Sequence, residues 1–157
     1  MDRLWSPWRY RYVSRTSAGE DCVFCSKPGE NDADALILFR GRRNFVILNL
    51  FPYTTGHLMV VPFQHTDTLQ GICDATAQEL FALVRVADQK LRGVYHPKGM
   101  NLGMNLGEAA GAGIAEHIHM HVLPRWIGDA NFLTVIGETR ILPEELSETY
   151  RKLKAVF

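Results

Sequence analysis

The sequence predicts an α+β fold: an antiparallel sheet of about five strands with one long helix and a C-terminal helix. Three observations carry this. Short apolar runs rich in β-branched residues outnumber helical segments. The connections between the runs are short, which favours antiparallel pairing. After Asp74, and again in the tail, the hydrophobic period changes to a helical one. A chain of 157 residues without repeats reads as a single domain over 1–157, with an N-terminal arm at 1–21 and a helical tail at 143–157.

The arm mixes Trp5, Trp8, Tyr10 and Tyr12 with Arg3, Arg9, Arg11 and Arg15 and follows neither period. It reads as a segment that packs its rings on the body and keeps its guanidinium heads in water, with one Arg on a nucleotide phosphate as the alternative. The polar stretch 26–34 separates the pair Cys22 and Cys25 from a first strand at Leu36–Phe39. A tight connection at Gly41–Asn44 leads to a second strand at Phe45–Leu50, and the loop Pro52–Gly56 to a third at His57–Val61, closed by Pro62. Leu80, Val84, Ala87 and Leu91 mark one face of the long helix, with Gly93 as its predicted stop. A weaker strand follows at Asn101–Leu106, then a fifth at His117–Leu123 before Pro124. The tail opens at Pro143, has Glu144 and Glu145 in its first turn, and aligns Leu146, Tyr150 and Leu153.

Lys and Arg number 17 against 17 Asp and Glu, so net charge is zero. This argues against a protein that coats nucleic acid or an anionic membrane. No apolar run reaches the length of a signal peptide or a membrane span, so a soluble cytoplasmic protein is expected. Three cysteines without an export signal favour a metal or free thiols over a disulfide.

His117, His119 and His121 alternate with Ile118, Met120 and Val122. On a strand, period two sends the imidazoles to one face and the apolar residues to the other. Such a row can converge on a metal, or one imidazole can attack phosphorus while its neighbours fix its tautomer. The small-residue loop Asn105–Gly113 just upstream favours phosphoryl chemistry, because backbone N–H groups in such loops approach phosphate oxygens closely.

The run His117–Leu123 followed by Pro124-Arg125, the strand Gly56–Pro62 preceded by Asn49-Leu50, and the Asn105-x-Gly107 loop together resemble the histidine triad (HIT) family of nucleotide hydrolases and transferases. The resemblance spans about residues 22–126. The flanks Leu4–Arg9 and Pro124–Phe132 are most like the bacterial diadenosine tetraphosphate phosphorylase branch. It implies His119 as nucleophile, forming a nucleotidyl-histidine, and His121 as hydrogen-bond donor to the phosphate or bridging oxygen. His57 falls at a supporting position, with a buried structural histidine as the alternative. Asn49 would contact ribose and Leu50 the base, while Asn105 and the amides of Gly111, Ala112 and Gly113 would hold phosphate. The chain departs from the family at Ala112, Gly113 and Ile114, where many members place Gln, Ser or Thr. The resemblance also implies a homodimer.

Cys22 and Cys25 have the spacing of half a zinc site; a redox dithiol is the rival reading. Zinc-bearing triad proteins resemble this chain in completing the pair with His65 and His117, which implies a structural zinc at Cys22, Cys25, His65 and His117. The resulting function is nucleotidyl transfer from a dinucleoside polyphosphate to phosphate or water. The alternatives are a nucleoside phosphoramidate hydrolase and a non-catalytic nucleotide-binding module.

Overall fold

The computed structural model describes residues 22–137, 139 and 141–157, and the side chain of Val135 is left out. The expected N-terminal arm at 1–21 lies outside the described residues. The strands β1 (Ile37–Arg40), β2 (Asn44–Leu48), β3 (Leu58–Pro62), β4 (Gly99–Gly103) and β5 (Met120–Arg125) form one sheet in the order β1-β2-β3-β5-β4. Every neighbouring pair is antiparallel. The helices are α1 (Val23–Ser26), α2 (Asp32–Ala35), α3 (Asp74–Tyr95), α4 (Phe132–Val135) and α5 (Leu146–Lys154).

The predicted architecture therefore holds, with corrections at element ends. Leu36 does not open β1: it closes α2 in the left-handed region, at φ 62°. β2 ends at Leu48 because Asn49 turns out of the strand, its Oδ1 accepting the Phe51 N–H at 2.9 Å. β3 begins at Leu58 and includes Pro62, which stands opposite Asn44 at the end of the ladder. The long helix runs through Gly93, and its stop is His96 in the left-handed region, at φ 47°. Pro97 follows, and a proline disfavours helical backbone in the residue before it. β4 lies earlier than predicted, at Gly99–Gly103, and β5 later, at Met120–Arg125, so His117 and His119 precede the ladder. The C-terminal helix starts at Leu146, with Glu145 as its N-cap, so Pro143 and Glu144 stand before it.

Period two gives the sheet two different faces. Val46 and Leu48 of β2, Leu58 and Val60 of β3, and Val122 of β5 meet Leu80, Val84, Ala87 and Leu91 of α3 and Leu153 of α5. On the opposite face Phe45, Ile47, Met59 and Val61 pack with Phe24, Ala35 and Ile114. The nine residues of α5 are too few to hold a helix in isolation. Fully buried Leu153 and the hydrogen bond from Tyr95 Oη to Glu144 Oε1, at 2.6 Å, tie this end of the chain to the body. Gly56 is required where it stands: it holds φ +76°, and a Cβ there would lie 3.1 Å from Leu91.

Glu79 on α3 clamps the β1–β2 turn. Its carboxylate accepts the N–H groups of Arg42 and Arg43 at 2.8 and 2.7 Å and the side-chain amide of fully buried Asn44 at 2.8 Å. Removing it leaves a buried amide short of an acceptor, and that loss outweighs the gain from relieving a partly buried charge. Glu79→Ala is therefore expected to lower stability by about 2 kcal/mol, read from urea unfolding.

Candidate active site

The site lies on the face of the sheet away from α3. Met59 stands opposite His121 across the β3–β5 ladder, so His57, two residues before Met59, reaches the same face diagonally. The result is a row of three buried imidazoles, His57, His121 and His119. Ring centroids are 5.1 Å apart for His57 and His121 and 4.8 Å for His119 and His121.

Backbone groups fix the tautomers. The Tyr53 N–H donates to His57 Nδ1 at 3.1 Å, so His57 carries its proton on Nε2 and donates it to His121 Nδ1, 2.9 Å away. His121 is thereby left with its own proton on Nε2. His119 Nδ1 lies 2.9 Å from the His117 carbonyl oxygen, which can only accept. That places the His119 proton on Nδ1 and a lone pair on Nε2. Burial lowers the pKa of His119 and outweighs the opposing hydrogen bond to His117. Burial, with the neighbouring His119 second, lowers His121 to about 4. Both rings are held neutral, one with a bare Nε2 and the other with a protonated Nε2.

A narrow cleft opens over these rings. It brings together Asn49, Asn105, Gly111, Gly113, His119 and His121, six of the residues singled out from sequence. His57 is wholly buried behind His121. Leu50 does not line this cleft; it is 59% exposed beside a neighbouring cavity that His57 also lines. The loop amides are fewer than expected. Gly111 N–H donates to Glu108 O at 2.8 Å and Ala112 N–H to Gly107 O at 3.3 Å, so both serve the loop itself. Gly107 and Gly111 hold φ of 82° and 87° there. Ile114, one of the positions where the chain departs from the family, also lines the cleft, as do Phe24, Phe51, Tyr53 and Met59, to which sequence reasoning gave no role there. Only Phe24 carried a signal, as the residue enclosed by the cysteine pair.

His117 serves a second site. Its Nε2 lies 2.9 Å from Pro62 O, so its proton sits there and Nδ1 is available as a ligand. Burial lowers its pKa as well, against the hydrogen bond to Pro62. Nδ1 is 3.3 Å from Cys22 Sγ and 3.7 Å from Cys25 Sγ, while His65 Nδ1 is 3.3 Å from Cys25 Sγ. The four ligand atoms all lie within 4.8 Å of one another. Tetrahedral zinc with bonds of about 2.0–2.3 Å spaces its ligands about 3.3–3.8 Å apart, so the Cys₂His₂ set fits that ion.

Comparison with known proteins agrees with this geometry. The sequence model of the HIT domain matches residues 30–126. The chain is 40% identical over 161 residues to the AP-4-A phosphorylase of Mycobacterium tuberculosis, covering 98% of this chain and 83% of that protein. It is 28% identical over 121 residues to the asymmetrical bis(5'-nucleosyl)-tetraphosphatase of Schizosaccharomyces pombe, covering 77% and 63% of the two chains. Among solved structures, a Zn-bound histidine triad family protein from Mycobacterium smegmatis superposes with a TM-score of 0.69 at 31% identity, over 86% of this chain and 91% of that one.

The depressed His121 has a consequence for stability. Between its folded pKa of about 4 and the ordinary value of 6.5 the unfolded chain binds the extra proton, so stability falls as pH drops through that window. His121→Asn should flatten this fall, by at most about 1.4 kcal/mol per pH unit, in urea unfolding compared at pH 5, 6 and 7.

Proposed function

The chain belongs to the HIT domain family, and from that premise we propose that it cleaves dinucleoside polyphosphates, diadenosine tetraphosphate foremost, through a covalent nucleotidyl-histidine on His119. The observation that carries this is the pair of opposed tautomers, a bare Nε2 on His119 beside a protonated Nε2 on His121. In the first step His119 Nε2 forms a bond to the α-phosphorus, and the bond from phosphorus to the bridging oxygen breaks. The leaving nucleotide departs as an anion, and the His121 Nε2–H hydrogen-bonds the oxygen on which that charge develops. His57, held by the Tyr53 amide, keeps the His121 proton on the side facing the substrate. Asn105 and the Gly113 amide would bind phosphate oxygens, and Asn49 the ribose.

In the second step an acceptor breaks the N–P bond and restores the lone pair. Phosphate as acceptor gives ADP and ATP; water gives AMP and ATP. The 40% identity to a protein named AP-4-A phosphorylase supports phosphate. Nucleoside phosphoramidates fit the same first step, but no observation in the leaving-group side favours them.

Zinc fits Cys22, Cys25, His65 and His117, and four protein ligands would close its shell, making it a structural ion. No described helix is long and apolar enough to cross a membrane. β4 is an edge strand whose Leu102 is 50% exposed, which supports a homodimer built on that edge.

Three outcomes are expected. Incubation with diadenosine tetraphosphate should yield ADP and ATP only when inorganic phosphate is present; AMP and ATP regardless of phosphate would make water the acceptor. His119→Ala should lower kcat by about a thousandfold or more while nucleotide binding, measured by calorimetry, stays within about threefold. Surviving turnover in that variant would exclude the covalent route. Metal analysis should find about one zinc per chain, and chelation should lower the melting temperature.

A further inference from the structure

The Cys/His cluster and the nucleophile are joined by two contacts, of which the reaction scheme above uses only the one from the His117 carbonyl. Phe24 lies between Cys22 and Cys25, in a helical segment of only four residues, α1. Its ring is buried at 3% exposure and stands edge-on to His117 at 5.5 Å and tilted over His119 at 5.0 Å. The ring thus forms one wall of the slot that holds the His119 imidazole, with His121 on another side at 4.8 Å. The second contact is His117 itself. Its ring nitrogen faces the cysteines, and its carbonyl oxygen accepts the His119 Nδ1 proton. The residues flanking Phe24 and the residue that fixes the His119 tautomer are therefore drawn together by the same four-ligand cluster.

We propose that Phe24 is a positioning residue that, with the His117 carbonyl, carries the closure of the Cys/His cluster to the His119 imidazole, so that an open cluster weakens the nucleophile without removing any reacting group. This rests on the reading of His119 as nucleophile. A four-residue helix cannot hold its own ends, so α1 is held by the packing of Phe24 in the core of that face and by the thiols on either side of it. When both thiols share an ion with His65 and His117, the Phe24 ring stays against His119 and limits that ring to one orientation, with Nε2 facing the cleft. When they do not, α1 and Phe24 are free to withdraw, and His119 can turn about its side-chain bonds and lose the Nδ1–H bond to His117. Misplacing a nucleophile by about 1 Å costs on the order of a hundredfold in rate.

The test uses the full chain loaded with zinc, labelled with ¹⁵N-histidine, and follows the His119 Nδ1–H resonance in water without substrate. In the parent that proton is expected to be visible and slow to exchange. Phe24→Ala should keep one zinc per chain and yet lose the resonance, with kcat lowered about tenfold or more and KM changed less. Phe24→Tyr, which restores an aromatic wall, should recover both. Chelation of the parent should remove the same resonance, and added zinc should return it. If zinc-loaded Phe24→Ala keeps the resonance and its kcat, the proposal is overturned. So is it if the chelated parent, still folded by circular dichroism, keeps the resonance. Should chelation unfold the chain, the zinc-loaded Phe24 variants decide alone. Turnover surviving in His119→Ala would instead remove the nucleophile reading and leave the resonance test to judge the structural link.

Discussion

A neutral imidazole is a nucleophile at one nitrogen only when the other holds the proton, and in this protein main-chain groups make that choice. The His117 carbonyl takes the His119 Nδ1 proton, and the Tyr53 amide, acting through His57, leaves the His121 proton on Nε2. Side-chain partners could titrate or rotate away, whereas a carbonyl and an amide cannot change role. The rest of the fold exists around that constraint. β3 and β5 must pair in the register that sets Met59 opposite His121, because a slip of one residue would turn His121 toward α3 and Val122 toward the cleft. The filled core on the α3 side makes such a slip costly, since it would turn Val122 and Met120 out of that core and bring a polar imidazole into it.

Sequence made this chemical face legible because period two is a property of strands and not of any particular fold. Alternation at His117–His121 was enough to separate imidazoles from core, even though the ladder itself begins only at Met120. The ends of elements were less legible for local reasons. Gly93 looks like a helix stop, but tertiary packing of Leu91 and Tyr95 carries α3 past it, and the stop falls where His96 precedes Pro97. Leu36 looks like the first residue of a strand, but its backbone is spent on closing α2. Among site residues, Tyr53 contributes an amide, which no side-chain pattern reveals. His65 stands 40 residues from Cys25 and His117 another 52 beyond it, so no spacing rule unites them with the cysteine pair. Leu50 was placed by its neighbour Asn49, and the Asx turn at Asn49 carries it away from the cleft.

The glycine-rich loop shows how a correct reading of composition can still overstate what a segment offers. Small residues and positive φ at Gly107 and Gly111 let the chain turn close to His119. The same tight turns consume the amides of Gly111 and Ala112 in holding the loop's shape. A loop of this kind contributes rigidity first and donors second. In the proposed reaction, phosphate recognition would fall to a few groups, chiefly Asn105 and Gly113 with the two histidines, and among the described residues no Lys or Arg lines the cleft.

Burial is useful at this site and not merely tolerated. A nearby Lys or Arg would favour the neutral form of an imidazole but would also pair with the carboxylates and phosphates of any passing anion. Burial is the main cause that holds His119 and His121 neutral, with the neighbouring His119 second for His121, and in the proposed reaction the cleft would favour a group that can accept from His121 and be attacked by His119 at once. The cost is borne by the fold, because three buried imidazoles in a row gain no charge-assisted bonds. Phe24, Met59 and Ile114 on that face supply the packing that makes so polar a row stable inside a protein of this size, and the Cys/His cluster at its edge would add a cross-link when it holds zinc. The first histidine of the run is therefore not redundant: facing the cluster with its ring and His119 with its carbonyl, His117 is where the Cys/His cluster and the row of imidazoles meet.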